Sequence, residues 1–371
     1  MAKFIKLNNK KLKNIFRNKK VLVTGHTGFK GSWLSLWLKM LGAELYGISL
    51  SIPTNPSHFE NLEIKFKKDI RLNISKTNEV KKIIQNISPD FIFHLAAQPI
   101  VSDSFADPIN TYFSNTIGTA NILDSLKEFK TKCVVVLITS DKAYDNLEIK
   151  RGYHENDKLG GADPYSASKG AAELIISSYI RSFFSNDNYI KIGIGRAGNV
   201  IGGGDWAKNR IIPDVIRSII NNDTLIVRSP NATRPWQHVL EPISGYLSLA
   251  IELFENDDSH GEAYNFGPYF NEDYKVSQVL DELKKTFKNL NWKVIPSTSF
   301  KESTLLKLDC SKALERLDWK STLSFKETIE FTSSWYLNFI NDKSKIHVFS
   351  EKQIQNYIDI ATIKKIKWTQ A

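Results

Sequence analysis

The apolar positions of this chain switch period again and again along its first half. Short β-branched or aromatic runs at 20–24, 45–50, 91–95, 134–138 and 190–194 alternate with other stretches. In those stretches, at 31–38, 77–86, 119–127 and 167–180, apolar residues recur every three or four positions. Strands that alternate with helices predict a parallel, doubly wound α/β sheet of the Rossmann type. From about residue 202 glycines, prolines and polar turns become denser, as in Gly202-Gly203-Gly204-Asp205 and Pro230-Asn231-Ala232-Thr233-Arg234-Pro235. A smaller C-terminal substrate-binding lobe is expected there, with helices at 240–254, 311–317 and 325–337. The expected division is a basic extension over 1–19, a dinucleotide-binding domain over 20–200 completed by parts of 235–265, and a lobe made mainly of 201–371.

Composition narrows the function classes. The chain has 371 residues, 42% hydrophobic and 24% charged, which is ordinary globular usage. Its net charge is +10, but Lys3, Lys6, Lys10, Lys11, Lys13, Arg17, Lys19 and Lys20 stand at the start without an acid, so the body is nearly neutral. A nucleic-acid footprint needs a basic face interleaved with aromatics, and the body has none, so no nucleic-acid partner is expected. The start reads as a solvated basic extension. No apolar window reaches membrane-spanning length, so no membrane partner is expected either. Cys133 and Cys310 lack pairing or metal-ligand spacing, which points to a reduced, cytoplasmic setting and to no bound metal.

The first strand runs into Gly25-His26-Thr27-Gly28-Phe29-Lys30-Gly31 at the mouth of a helix. Glycines there let the backbone turn sharply and approach a pyrophosphate, and the helix N-terminus offers free N–H groups. Dinucleotide binding is the reading, against a plain packing turn. The end of the second strand, Gly47 to Ser51, offers neither an acid for a ribose 2′-hydroxyl nor an arginine for a 2′-phosphate, so NAD is favoured over NADP. His26, Lys30, and Asp69 with Ile70 just after a third strand, are candidates for ribose and adenine contacts. Leu95-Ala96-Ala97-Gln98 follows another strand, where small residues let the backbone pass close to a cofactor.

Thr139-Ser140-Asp141-Lys142 stands at the carboxyl end of the strand at 134–138, where open α/β sheets meet their ligands. Tyr165 and Lys169 share one face of a later helix. A phenol with a pKa of about 10 is a poor base, but a nearby ammonium and a positively charged nicotinamide favour its phenolate. Thr139 is expected to hold the substrate hydroxyl or the phenol. By itself Tyr-x-x-x-Lys is common, and a core tyrosine beside a solvated lysine is the plain alternative.

Taken together, the glycine loop, Tyr165 and Lys169 resemble the extended short-chain dehydrogenase/reductase family, which includes nucleotide-sugar epimerases and dehydratases. The segments 25–33, 139–142, 163–170, 198–206, 231–239, 264–268 and 306–313 resemble its CDP-glucose 4,6-dehydratase branch. TDP-glucose enzymes carry Asp-Glu where Asp141-Lys142 stands here. The resemblance implies NAD as cofactor, CDP-glucose as nucleotide-sugar substrate and a homo-oligomer, dimer or tetramer. It also implies catalytic roles for Thr139, Asp141, Lys142, Tyr165 and Lys169. Gln98, Ser140, Asn199, Arg210 and Arg234 would contact the substrate, arginine suiting phosphate by its planar fork. Trp206 and Trp236 either line the lobe or sit in its core, and Trp33 and Trp37 read as helix core. The alternatives are a nucleotide-sugar 4-epimerase, a dehydratase for another nucleotide sugar and a non-catalytic dinucleotide sensor.

Overall fold

The computed structural model describes residues 10–185, 189–256, 258–268, 273–295 and 306–369. Seven strands form one sheet: β1 Lys20–Thr24, β2 Glu44–Ser49, β3 Lys68–Arg71, β4 Phe91–His94, β5 Cys133–Ile138, β6 Ile190–Ala197 and β7 Ala263–Phe266. Their spatial order is β7-β6-β5-β4-β1-β2-β3 and every pairing is parallel. The order reverses between β1 and β4, where Thr24 lies opposite His94, so a crevice opens at their carboxyl ends.

Both faces of the sheet are covered, and for that reason the inner strands read as near-continuous apolar runs. Val21, Val23, Phe91, Phe93, Val134 and Val136 face a core with the helices Phe29–Met40 and Leu240–Glu255. Leu22, Ile92, Val135, Leu137, Ile190 and Ile192 face a second core with the helices Thr77–Ile87 and Pro164–Tyr179. Trp33 and Trp37 are fully buried in the first of these.

Three elements differ from expectation. Residues 1–9 lie outside the described residues, but Lys10–Phe16 is a helix whose Leu12, Ile15 and Phe16 are buried. The Phe16 and Phe91 rings lie 4.8 Å apart, so this part of the basic start is anchored under the sheet rather than solvated throughout. Asp69 and Ile70 lie within β3, a mostly exposed edge strand, and not after it. Finally, a last helix, Ile346–Ile363, packs on Phe29–Met40, with Tyr357 and Trp37 edge to face at 5.8 Å. This helix of the C-terminal lobe therefore also buttresses the dinucleotide-binding half. Among the described residues no helix is long and apolar enough to cross a membrane.

Candidate active site

The crevice begins with the glycine loop. Gly25 has φ +74°, and a Cβ there would meet the Ala96 backbone nitrogen at 2.7 Å; a Cβ at Gly31 would meet the Gly25 carbonyl at 2.1 Å. The loop is thus pressed on the turn after β4, and Ala96 N donates to Thr24 Oγ1 at 3.2 Å. Gly28 caps the helix Phe29–Met40 with no side-chain hydrogen bond. Its first N–H groups are thus left without a side-chain cap, and a dinucleotide pyrophosphate fits this cradle.

His26 does not behave as a solvated loop residue. Its ring is buried, accepts or donates with Ser49 Oγ at 2.9 Å and Asp69 Oδ1 at 2.7 Å, and fills the space a side chain at Gly47 would need. Burial lowers its pKa, with Asp69 pulling the other way. Asp69 also pairs with Arg71 on the same strand. So an acid and an arginine stand beside the His26 ring of the glycine loop, supplied by β3 rather than by the end of β2. Thr27 is occupied in the loop as well, its hydroxyl donating to Ser51 O at 2.7 Å.

At the end of β5 the adjacent hydroxyls separate. Thr139 Oγ1 donates to Glu173 Oε1 at 2.6 Å, turning away from the crevice. Ser140 instead donates its Oγ hydrogen to Asp141 Oδ1 at 2.9 Å. The expectation that Thr139 holds the substrate hydroxyl or the phenol meets a hydroxyl already given to Glu173. Tyr165 and Lys169 lie one turn apart on the helix Pro164–Tyr179, which Asp163 caps by accepting from Ser166 N at 2.9 Å. Lys169 Nζ is 6.0 Å from the Tyr165 ring centroid.

Electrostatics in this pocket follow from burial. The Tyr165 phenol is pushed up to about 12, chiefly by desolvation, with the Ser140 contact opposing and the Asp141 charge adding. Lys169 is pushed down to about 8 by burial, against the pull of Glu173. Burial thus favours the neutral phenol of Tyr165, opposite in sign to the activation expected from a neighbouring ammonium alone. Lys30 is also pushed down to about 8 by burial, with Asp141 opposing and Arg210 and Lys169 adding to the fall. Its amine therefore shares the field of the reactive loop and belongs to that end of the crevice as well as to the glycine loop.

Beneath the pocket lies a network that sequence reasoning missed. Arg196 Nε donates to both Glu173 oxygens, at 2.8 and 3.0 Å, and Nη1 donates to Tyr144 Oη at 2.7 Å. Tyr144 in turn donates to Asn265 Oδ1 at 2.8 Å. The available signal was a glutamate four residues after Lys169 and an arginine near the end of a mostly apolar strand.

Of the substrate candidates, Asn199 and Arg234 line one cleft with Asp141, Lys142, Pro235 and Leu306. Arg210 pairs with Asp205 at 3.0 Å, and Tyr165 and Lys30 both feel its charge. Gln98 stands apart, for its amide donates to Ile100 O and Thr111 Oγ1, each at 3.0 Å, and so closes its own loop. Trp206 packs on Tyr336 and Phe339, and Trp236 Nε1 donates to Tyr274 O at 2.8 Å, so both are core residues of the lobe.

Residues 22–332 match the family model described as GDP-mannose 4,6 dehydratase. A CDP-glucose 4,6-dehydratase of Salmonella typhimurium is 42% identical over 94% of this chain and 99% of that protein. A dTDP-D-glucose 4,6-dehydratase of Dictyostelium discoideum is 26% identical over 91% of this chain and 86% of its own. Among solved structures, an epimerase of Methanothermobacter thermautotrophicus superimposes with a TM-score of 0.78 at 22% identity, covering 91% of this chain and 97% of that one. A dTDP-glucose 4,6-dehydratase of Bacillus anthracis in complex with NAD gives 0.71 at 19% identity, covering 86% and 97%. At such identities these two structures speak for the fold.

Proposed function

We propose that this chain, which belongs to the GDP-mannose 4,6-dehydratase family, is an NAD-dependent nucleotide-sugar 4,6-dehydratase whose substrate is CDP-glucose. The observation that carries the reading is the Asp141-Lys142 pair at the end of β5, in one cleft with Asn199 and Arg234 and beside Tyr165. An epimerase needs a base at the 4-hydroxyl and nothing to expel water, whereas a second acid and a second amine equip a site for elimination. When bound, NAD supplies the acceptor for the C4 hydrogen and its return to C6.

The chain's own residues divide the remaining work. Gly25, Gly28 and Gly31 admit the pyrophosphate, with Thr27 and Phe29 shaping the loop and Leu95, Ala96 and Ala97 forming the opposite wall. His26, Asp69 and Ile70 close the adenosine end. Tyr165 takes the proton of the 4-hydroxyl, and Lys169 holds the nicotinamide ribose and draws the phenol toward its anion. The ketone so formed at C4 acidifies C5, Lys142 takes that proton, and Asp141 gives one to the departing C6 hydroxyl. Asn199, Arg210 and Arg234 hold the diphosphate.

Incubating the protein with CDP-, TDP-, UDP- and GDP-glucose and weighing the products tests the substrate. A product lighter by one water is expected from CDP-glucose, and an unchanged mass with all four would refute the dehydratase reading. Lys142→Met should still reduce bound NAD yet fail to exchange the C5 hydrogen with deuterated water. Normal exchange would place the C5 base elsewhere.

The protein acts as a homo-oligomer in this reading. Ile109, Phe113 and Ile117 are exposed at four-residue spacing along the helical run 108–124, and Leu174 is exposed on the neighbouring helix Pro164–Tyr179. A second copy burying this stripe is the occupant, and Ile109→Glu with Phe113→Glu should shift the light-scattering mass to that of one chain. The free thiols of Cys133 and Cys310 fit a cytoplasmic setting.

A further inference from the structure

Resting on that reading, the chemistry divides between two pieces of chain. Tyr165 and Lys169, which serve the oxidation, stand on the helix Pro164–Tyr179, whereas Asp141 and Lys142, which serve the elimination, stand on the turn after β5. The two steps act on neighbouring carbons of one bound sugar, so the turn and the helix have to keep a fixed spacing. Backbone bonds inside the turn do not set it. Ala143 N donates to Ser140 O at 3.1 Å and Tyr144 N to Asp141 O at 3.3 Å, which closes the turn upon itself.

One buried ion pair touches both ends of the turn. Thr139, the residue before Ser140, donates its hydroxyl to Glu173 Oε1 at 2.6 Å. Tyr144, the residue after Ala143, accepts from Arg196 Nη1 at 2.7 Å. Glu173 lies one turn after Lys169 on the same helix, Arg196 lies on β6, and Arg196 Nε donates to both carboxylate oxygens. The two ties therefore end on a pair built in part from the helix that carries Tyr165 and Lys169. All four side chains, Thr139, Tyr144, Glu173 and Arg196, are buried. Room to shift is small as well, since a Cβ at Gly170 would meet the Ala143 carbonyl at 3.3 Å and one at Gly198 would meet Asp141 Oδ2 at 3.1 Å.

We propose that the Glu173–Arg196 pair is a two-ended clamp, whose ties to Thr139 and Tyr144 hold Asp141 and Lys142 in register with Tyr165 and Lys169. Thr139 and Tyr144 are positioning residues of the reaction, and Thr139 acts through Glu173 rather than by touching the sugar. Loosening either tie frees the turn and leaves the helix where it is. The elimination then suffers and the oxidation does not. A residue that merely stabilised the fold would slow both steps together, and one that held the 4-hydroxyl would slow the oxidation first.

The test is a single turnover of NAD-loaded protein with CDP-glucose, following reduced nicotinamide as it forms and as it is consumed, for wild type, Thr139→Val, Thr139→Ser and Tyr144→Phe. Valine keeps the shape of threonine and removes the donor, and Glu173 Oε1 still accepts from Arg196, so no buried acceptor is orphaned. In Thr139→Val the reduced form should appear at the wild-type rate and be consumed about ten- to a hundredfold more slowly, the cost of a misplacement on the order of 1 Å. Steady-state turnover should fall by the same factor while KM stays near wild type. Tyr144→Phe should show the same split, and Thr139→Ser should restore wild-type consumption. Thermal unfolding checks each variant, and because Tyr144 also donates to Asn265 Oδ1, the two threonine variants decide the matter if Tyr144→Phe does not fold. Slower appearance of the reduced form with unchanged consumption in Thr139→Val overturns the clamp, as does equal slowing of both steps or no slowing of either. Failure of the wild type itself to yield the dehydrated product overturns the functional reading instead.

Discussion

Among the described residues two glutamates are buried, and the molecule holds them in opposite ways. Glu173 lies under the reactive loop against Arg196, whose fork reaches both of its oxygens, and it also receives the Thr139 hydroxyl. Burial alone would lower the Arg196 pKa, but the charge and hydrogen bonds of Glu173 reverse this and raise it. Glu241, at the start of the helix Leu240–Glu255, has no ion-pair partner of that kind. It accepts from Thr322 N at 2.8 Å, Leu323 N at 2.7 Å and Tyr357 Oη at 2.7 Å. Desolvation pushes its carboxyl up to about 7, with those hydrogen bonds opposing. A buried carboxylate beside its cation is a fixed charge on which chemistry can be mounted. One supplied only with neutral donors becomes a titrating clamp, here joining the segment around Thr322 and Leu323 and the helix Ile346–Ile363 to the helix Leu240–Glu255.

If the Glu173 side carries chemistry and the Glu241 side carries only structure, the two should respond to different measurements. The largest effect is expected directly above Glu173. Tyr165→Phe removes the acceptor of the 4-hydroxyl proton and should lower turnover by about 10³-fold, within the usual range for a positioned base. Its unfolding midpoint and NAD affinity should stay near wild type, since the phenol oxygen holds no other element in place. Retention of wild-type turnover would break the assignment. Glu241→Gln, by contrast, should leave turnover per folded molecule unchanged.

Next in size is the floor itself. Glu173→Ala strips Arg196 of its counter-charge in a buried site and should cost about 3–5 kcal/mol of unfolding free energy. Glu173→Met with Arg196→Met removes both charges and should recover much of that loss, as measured by urea denaturation of the three proteins. A single-variant loss no larger than that of the double would show that the pair is not an interdependent buried pair, and the contrast with Glu241 would fall.

What the sequence reveals follows the same division. β5 is buried at all six positions and reads as an apolar run, and the glycine loop announces itself by residue type. β3 is an exposed edge of four residues, so no apolar run marks it. Thr139 and Ser140 are chemically alike, and nothing in their order along the chain tells that the first is given to Glu173 and the second to Asp141. The Glu173–Arg196 pair joins a helix to a strand 23 positions away, and no local spacing predicts it. Gln98 has the chemistry of a ligand group, but its own loop consumes it. The last helix buries Ser350, Gln353 and Gln355 among its apolar residues, which blurs the periodicity that would have revealed it.

The smallest of the three effects is the pH dependence of stability that Glu241 confers. Its folded pKa of about 7 lies above the ordinary carboxyl value of 4.5. Between those two values the folded chain holds a proton that the unfolded chain has released. The slope of unfolding free energy against pH is therefore negative in that window: the contribution is fully present below 4.5, declines as pH rises toward 7 and stays lost above it. A displacement of this size corresponds to about 3 kcal/mol, and the side chain is 1% exposed, so solvent screening does little to reduce it. Glutamine keeps a carbonyl for the Thr322 and Leu323 N–H groups and places an amide before Tyr357 Oη, which can turn to accept. Glu241→Gln should consequently flatten the curve between pH 5 and 8, matching wild type at the acid end and exceeding it at the alkaline end. The check is a series of urea unfolding curves across that range for both proteins. If the variant kept the wild-type slope, the titrating group would lie elsewhere than at Glu241.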